Sequence, residues 1–598
     1  MEFKFNPVNY SRFGKGMVTV DEADTIQDDA CVFAQNIDFG ADGSIAPRLG
    51  KTLFGQNTAG SGSIPDAHVV MRRDGTQVAL RTRGTNLEYY SSSTGEWETL
   101  YTGFTSGYTT GFANYVTSTT DAVYIGNGTD TTRKWNTAVT TASAAFTTAS
   151  TTITVASTTG FDASGTLICE GDEITYTGKT STTFTGCASI ASNQASGVSI
   201  AQVTSAVSAI EKGNIMIVKD WRLSVAGSPT KGPTLTLATI NSPENFTENS
   251  PRLVGDADIE DFPEGGGKIT GLADFDKWWV IFKEDTIRLF TLQLNEGAAA
   301  TVSAEYPITK GIITAPGIGA VTHKGIIGAD NDIFYVSRTG GLRSLSNVAS
   351  EQSQTRIIDW FDPIRPTVKD YDFTSAATAF YDKKILVACK SSSDSSYNDT
   401  VIVLDLRTKG LGIYRGWNVS CWFILNGELY FGSSIEPNTY KAFDGYVDVS
   451  RTIEVPVDAI WRTKRFNFGY PAHQKEIDYI YVEGLISQPT EIDVTIRYDE
   501  DGSRSEVTKT ISGTGSYVTE TPVNALGINE LGIEPLAGTT SDASDLNKFR
   551  VYLTLPADAS LFNMDIIFRS TTTGGRWKIT NYAVNPQLQE EPPAQLKL

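Results

Sequence analysis

The sequence predicts an all-β chain: a β-propeller with a small inserted β module, followed by a C-terminal β-sandwich platform domain. Three observations carry this expectation. Strand-turn-strand units of alternating apolar residues, broken by Gly, Asp or Asn, recur between about residues 68 and 446. Runs of Ala, Leu, Glu and Lys at helical spacing are scarce. Thr, Ser, Val, Ile, Tyr and Phe fill most segments instead, which suits pleated surfaces. At 598 residues the chain is too long for one ordinary core.

The elements follow in order. Residues 1–62 read as an N-terminal platform segment. Two short strands, within Ala34-Gln-Asn-Ile-Asp-Phe39 and Gly43-Ser-Ile-Ala-Pro-Arg-Leu-Gly50, flank a Gly40–Gly43 turn, and the segment is able to lend a strand to a later domain. Residues 63–450 read as the propeller. Its first unit spans about 68–101 and its second about 111–135, with Ala122-Val-Tyr-Ile125 the clearest strand. Residues 140–204 then turn dense in Thr, Ser, Ala and Gly, yet Thr152-Ile-Thr-Val155 and Glu173-Ile-Thr-Tyr-Thr177 still alternate. This is the pattern of a small folded insertion. Blade-like sequence resumes at 215–225 and recurs near 267–294, 318–345, 376–414 and 421–443, giving seven candidate units within an expected range of six to eight. Residues 451–598 carry longer strands joined by turn-rich segments, as in an antiparallel sandwich, and the Pro- and Gln-rich tail after Asn585 is expected to fray.

Composition excludes some functions. The formal charge is −20. Tight duplex binders cluster Lys and Arg to displace counterions, so a strong DNA or RNA binder is not expected, whereas a surface that DNA slides past is compatible. The acidity is spread along the chain, and its plainest role is solubility. Five cysteines without a CxxC pair give neither a disulfide framework nor a zinc pattern, which fits a reducing cytosol. The N-terminus lacks an apolar signal core, and no apolar run is long enough to span a membrane.

The motifs carry little chemistry. His68, His323 and His473 lie on different segments, no GxSxG elbow supports a Ser-His-Asp arrangement, and each histidine is read as structural. Gly178-Lys-Thr180 lacks the first glycine, the preceding strand and the following helix of a phosphate loop, so it reads as a turn. Ser91-Ser-Ser-Thr-Gly-Glu-Trp97 resembles the Asp-box turn of sialidase-like propellers without its Asp, and reads as a hairpin with a packing Trp. Asp499-Glu-Asp-Gly-Ser503 lacks the later ligands of a calcium loop. No catalytic, cofactor-binding or metal-ligating residue is assigned. The distinctive stretch is Gly255-Asp-Ala-Asp-Ile-Glu-Asp-Phe-Pro-Glu264. Its plain reading is a solvated loop between blades. Its functional reading is a divalent-ion site or a negative channel rim formed by Asp256, Asp258, Glu260 and Asp261.

Several segments together resemble the tail nozzle protein of short-tailed bacteriophages, also called tail tubular protein B. They are Asn36-Ile-Asp-Phe-Gly-Ala-Asp-Gly-Ser-Ile-Ala-Pro-Arg-Leu-Gly50, similar to the family's "N…G…R-x-G" stretch; the blade at 267–290, two strands, an acidic turn and a third strand; and Ile333-Phe-Tyr-Val-Ser-Arg-Thr-Gly-Gly-Leu-Arg-Ser-Leu345. Arg462-Thr-Lys-Arg-Phe-Asn-Phe-Gly469 followed by Lys475 is similar to the opening of phage tail sandwich domains. The insertion at 140–204 resembles a small module that recurs in phage tail proteins.

The resemblance implies a non-enzymatic structural virion protein without a cofactor, assembled in the host cytoplasm and resident in the virion tail. It implies a homo-oligomeric, typically hexameric ring that meets a tail adaptor protein and tail fibre or spike proteins. Genomic DNA would pass through the channel without specific binding. Two other classes stay open. One is a receptor- or glycan-binding, or glycan-cleaving, propeller, which needs aromatics on one face and paired carboxylates in a cleft. The other is a monomeric extracellular binding propeller, against which the missing signal sequence counts.

Overall fold

The computed structural model describes residues 7–58, 62–118, 121–249, 255–263, 267–275, 278–292, 308–313, 319–346, 356–471, 473–500, 503–514, 518–520, 546–555 and 560–588. The chain is nearly all-β: strands make up 54%, and among the described residues the one α-helix is the single turn Arg365–Val368. Among the described residues no sheet closes on itself.

Between residues 51 and 443, five separate sheets and the leading four strands of two larger sheets share one antiparallel four-strand plan. Each of the seven units read from the sequence forms one of them. Their leading strands are Ala67–Met71, Gly111–Val116, Ile215–Lys219, Ile269–Phe275, Ile326–Ala329, Asp372–Tyr381 and Val419–Leu425. These strands neighbour one another in chain order, and the seventh also neighbours the first.

Side-chain alternation explains the arrangement. Successive residues of a strand point to opposite faces, and here both faces of a sheet are covered. Trp279 and Ile281 pack toward the third sheet with Leu235, while Trp278, Val280 and Phe282 pack toward the fifth with Tyr335 and Leu345. Similar shared cores join the sixth sheet to the seventh through Leu386 and Phe431, and the seventh to the first through Phe423, Ala79 and Trp97. Tight hairpins keep the strands in register. Asp330 and Asn331 have φ of 47° and 61°, the paired left-handed geometry of a two-residue turn that Asp and Asn tolerate.

The fourth strand of the seventh sheet is Lys51–Phe54, lent by the N-terminal segment and paired to Thr439–Ala442. The fourth strand of the second sheet, Ser205–Ala206, comes after the insertion, which therefore sits between it and Arg133–Trp135. The insertion forms two small sheets of its own around Ile153, Leu167, Ile174, Phe184 and Ile200.

Both chain ends build the remaining layer. Val8–Tyr10 and Ile45 pair with Trp577–Leu588, and Ala30–Gln35 pairs with Ala459–Thr463. Two facing sheets enclose Ile480, Val482 and Phe549 against Ile496, Ile566 and Phe568. One of these sheets continues through Gly16–Met17 and Ala30–Gln35 into the sixth four-strand unit, so the layer is not a detached sandwich. The segment 1–62 likewise serves two neighbours rather than one. The tail beyond residue 588 lies outside the described residues.

Two predictions follow from these joints. Val139 pairs with Ala201, so the ends of the insertion stand one strand spacing apart and a short Gly/Ser linker can replace residues 140–200. Ile168 also packs in the core shared by the first two sheets, so the deletion should stay cooperative but lose roughly 2–4 kcal/mol. Denaturant unfolding measures this; wholly insoluble protein would show that the insertion is integral. Second, residues 451–598 expressed alone should lack fixed packing by near-UV circular dichroism and gain it when residues 1–62 are added. A rigid isolated fragment would contradict the shared layer.

Candidate functional site

The acidic stretch is a strand, not a solvated loop. Asp258–Asp261 pairs with Thr234–Leu237 as the fourth strand of the third sheet, three strands from the leading one. Alternation turns Asp258 and Glu260 inward, where they are buried, and turns Ile259 and Asp261 outward. Asp261 Oδ1 accepts from Thr234 Oγ1 at 2.5 Å, and the Asp256 carbonyl accepts from Arg222 Nη1 at 2.5 Å. Of the four candidate carboxylates, Asp256 is half-buried and only Asp261 is exposed. Glu264 lies outside the described residues. Among the described residues, no three His, Cys, Asp or Glu side chains are grouped to hold a metal ion.

A second polar cluster lies where the leading strands begin. Lys324 precedes the fifth leading strand. Its Nζ reaches the Pro65 carbonyl at 3.0 Å, Asp66 Oδ1 at 3.1 Å and the Ser420 carbonyl at 3.3 Å. Thr378 Oγ1 donates to the Lys324 carbonyl at 3.0 Å, and Thr110 N donates to Asp66 Oδ2 at 2.8 Å. Lys324 thus ties together the starts of the fifth, seventh and first units and the inner part of the sixth leading strand, and Asp66 adds the second unit. Burial works against the ammonium, but Asp66 and the neighbouring Cys421 outweigh it and hold its pKa above the ordinary lysine value. Beside it, burial pushes His323 down to about 4, so this imidazole is neutral near pH 7. The sequence gives no signal for a contact between residues so far apart.

The third cluster joins the three parts of the chain. Arg48 is buried and bonds Asp448 through both terminal nitrogens, at 2.9 and 2.6 Å. Its other donors reach Asn36 Oδ1 and the Leu49 and Arg415 carbonyls. The guanidinium lies 4.5 Å from the Trp417 ring centroid, and Trp417 Nε1 donates to Asp448 Oδ1 at 3.0 Å. Asn36 has a φ of 54°, and its side chain accepts from Arg415 N and donates to the Asp458 carbonyl. At Gly50 a Cβ would fall 1.8 Å from the Val447 carbonyl oxygen, so only glycine fits. Burial raises the Asp448 carboxyl, but Arg48 beside it, then Lys51 and Trp417, overcome this and hold it below the usual carboxylate range.

The remaining sequence motifs are structural. Lys179 Nζ donates to the Thr158 and Phe161 carbonyls at 2.9 and 2.5 Å, closing a turn of the insertion. Ser91–Trp97 turns a hairpin in which Trp97 is buried beneath Arg81, at 4.4 Å. Glu500 pairs with Ser503, and Asp501 and Gly502 lie outside the described residues. The five cysteines are buried and unlinked. His68 stacks on Phe112 at 5.2 Å, and burial lowers its pKa. A depression of about 400 Å³ is lined by Tyr124, Lys134 and residues 242–245, but its carboxylate, Glu244, is already bonded by Lys134 at 2.7 Å and Tyr124 at 2.9 Å. Comparison with known proteins gives no family model that matches the chain and no curated protein with significant similarity.

The Arg48–Asp448 pair sets a testable acid limit. A carboxyl held below its unfolded pKa contributes stability that is complete above about pH 4 and is lost as pH falls through the folded value. Asp448→Asn should flatten that acid limb in urea titrations between pH 2 and 6. Arg48→Met leaves a buried carboxylate unpaired and should cost about 3–5 kcal/mol at pH 7.

Proposed function

We propose that the chain is a structural subunit of a ring at the distal end of a short bacteriophage tail, a nozzle through which the genome leaves and on which adaptor and fibre proteins dock. The observation that carries this reading is the joint. Asn36, Arg48 and Gly50, three residues of the nozzle-like "N…G…R-x-G" stretch, sit where the N-terminal segment, the four-strand units and the shared layer meet. A motif with so specific a geometric task is a stronger link than its short length suggests. We further propose that the seven units are blades of a β-propeller. The cyclic order of their leading strands and the cores shared between neighbours support this.

In this reading the genome passes between copies of the chain, not along the axis of the blades. Lys324 and Asp66 bond across one end of that axis, and a duplex would have to break them. Fixed negative charge on the passage wall would disfavour lasting DNA contacts, with screening over about 8 Å at physiological salt. The acidic strand is proposed to face the passage, with exposed Asp261 its most effective charge and half-buried Asp256 its second.

Mass in solution and negative-stain imaging test the assembly. A ring with a hole wide enough for duplex DNA is expected; a monomer that retains glycans would favour the carbohydrate-binding reading instead. Asp261→Lys tests the wall without burying a new charge, as substitution of Asp258 or Glu260 would. It should leave particle assembly intact and slow ejection several-fold at low salt, with a smaller effect at about 0.15 M. Unchanged ejection at both salts would remove Asp261 from the passage.

A further inference from the structure

The depression of about 400 Å³ lies between the second and third units, and its volume is that of a small-ligand cleft. Tyr124 and Lys134 come from the second and third strands of the second unit. Residues 242–245 follow the third strand of the third unit, Thr234–Leu237. Their backbone is fixed locally. Ser242 N donates to the Thr239 carbonyl at 3.0 Å, Asn245 N to the Ser242 carbonyl at 3.0 Å and Thr239 N to the Asn245 carbonyl at 2.8 Å. Both bonds to Glu244 fall on Oε1, from Lys134 Nζ and from the Tyr124 hydroxyl. Among the described residues Oε2 accepts no bond, and Lys134 Nζ donates only the one. The Lys134 and Glu244 side chains are 29% and 41% exposed, so the spare oxygen and the spare N–H groups are within reach of a ligand. Ser242 and Asn245, both exposed, add a hydroxyl and an amide.

A strained tryptophan stands at the edge of this depression. Lys219 pairs with Arg222, so Asp220 and Trp221 are the two residues of a hairpin turn, with φ of 50° and 59°. Asp tolerates this left-handed geometry, whereas the second position of such a turn is usually glycine and an indole there is under strain. Burial does not offset the strain, because Trp221 is 57% exposed. Its carbonyl oxygen accepts from the Tyr115 hydroxyl and from Asn241 N, each at 3.1 Å. Asn241 immediately precedes the wall residue Ser242, and the Tyr115 ring meets the Tyr124 ring edge-on at 6.4 Å. The turn and the wall are thus one connected structure.

We infer that the depression and Trp221 form a binding site for a neutral saccharide. A sugar hydroxyl donates and accepts at once. That matches a carboxylate oxygen and ammonium hydrogens held side by side, as Glu244 and Lys134 hold them. A charged ligand fits less well. An anion would have to draw Lys134 away from Glu244, and a cation would meet the Lys134 ammonium. The exposed indole supplies the flat apolar surface that covers the C–H face of a pyranose ring. Among the described residues the lining holds one carboxylate, whereas the usual routes of glycoside hydrolysis employ two, so the site is assigned to binding and not to cleavage. The site does not depend on the nozzle reading, since a ring and a monomer would carry it alike.

Titration of the full chain, followed by saturation-transfer NMR, tests it with neutral oligosaccharides of glucose, galactose, mannose, rhamnose and N-acetylglucosamine, and with sialyllactose and oligogalacturonate as charged counterparts. At least one neutral oligosaccharide should bind with a Kd of about 1 mM or lower, and more tightly than either charged one. Trp221→Gly should weaken that binding by about tenfold or more, yet unfold at no lower urea concentration, because glycine accepts the turn without strain. Glu244→Gln, which puts an amide where the carboxylate was, should weaken it about tenfold. Four results would each overturn the site: no binding across the neutral panel, tighter binding of a charged sugar, undiminished binding in either variant, or a Trp221→Gly protein that is less stable than the parent. Should Glu244→Gln fail to fold, Trp221→Gly still decides. Assembly is read separately: a ring that binds through these residues keeps both readings, and a monomer that does so retires the nozzle alone.

Discussion

The structure depends on one buried guanidinium. All five N–H groups of Arg48 are bonded: one to Asn36, two to Asp448, and one each to the Leu49 and Arg415 carbonyls. An arginine offers five donors in a rigid fork, so this geometry can be met only when all four partners are in place. The partners come from the N-terminal segment, the end of the sixth unit and the hairpin after the seventh. Breaking the pair would strand a charge where water does not reach, at a cost comparable to a large part of a domain's net stability. Arg48 therefore acts less as added stability than as a requirement that three regions fold together.

The same logic governs closure of the seven units. A sheet buried on both faces needs a neighbour on each side, so an open array would leave two apolar faces bare. The chain meets this by bringing its first and last sheets together. Lys51–Phe54 completes the last sheet just before the first begins. Phe54 then packs against Tyr90, at 4.2 Å, and Tyr430, at 4.4 Å. Arg81 crosses the same seam, bonding Glu88 at 2.7 Å and Thr439 Oγ1 at 2.8 Å. The contacts Phe54–Tyr430 and Arg81–Thr439 join residues more than three hundred positions apart, so loop closure must precede their reward, and assembly of the seam is expected to be slow.

What the sequence revealed was what alternation encodes. Val280 to Phe282 and Ile333 to Val336 announce strands because each residue must satisfy a face, and the insertion shows itself by the switch to Thr and Ser at about residue 140. Outer strands were harder to see. Asp258–Asp261 looks like a loop because four of the eight residues from Gly255 to Phe262 are acidic, yet strand pairing uses backbone groups, and carboxylates on alternate positions do not prevent it. The polar joints were illegible for a different reason. Asn36 and Arg48 stood out as a motif, but nothing local says that their partners are Asp448 and Arg415. Lys324 had no signature, because its acceptors are main-chain carbonyls and a carboxylate supplied by distant segments, and Lys475 stood out only beside a motif that says nothing of its acceptor at Phe562.

These interior lysines also bear on the charge that a partner would meet. The formal charge of −20 counts every basic side chain as if it faced solvent. Lys51 and Lys475 are buried with their ammonium groups on carbonyl oxygens, at 3.0 Å from Gly416 and at 2.6–2.8 Å from three acceptors, so their positive charge is withdrawn from the surface. Buried lysines paired with carboxylates, such as Lys384 with Asp38 at 2.7 Å, leave the balance unchanged. The buried carboxylates Asp258 and Glu260 work the other way, removing negative charge from the face that carries Asp261. Surface acidity is therefore set by where individual charges are sequestered rather than by the sum. In the proposed nozzle, a wall that repels a polyanion would draw on exposed carboxylates such as Asp261, while basic side chains spent as internal pins give the polyanion nothing to grip.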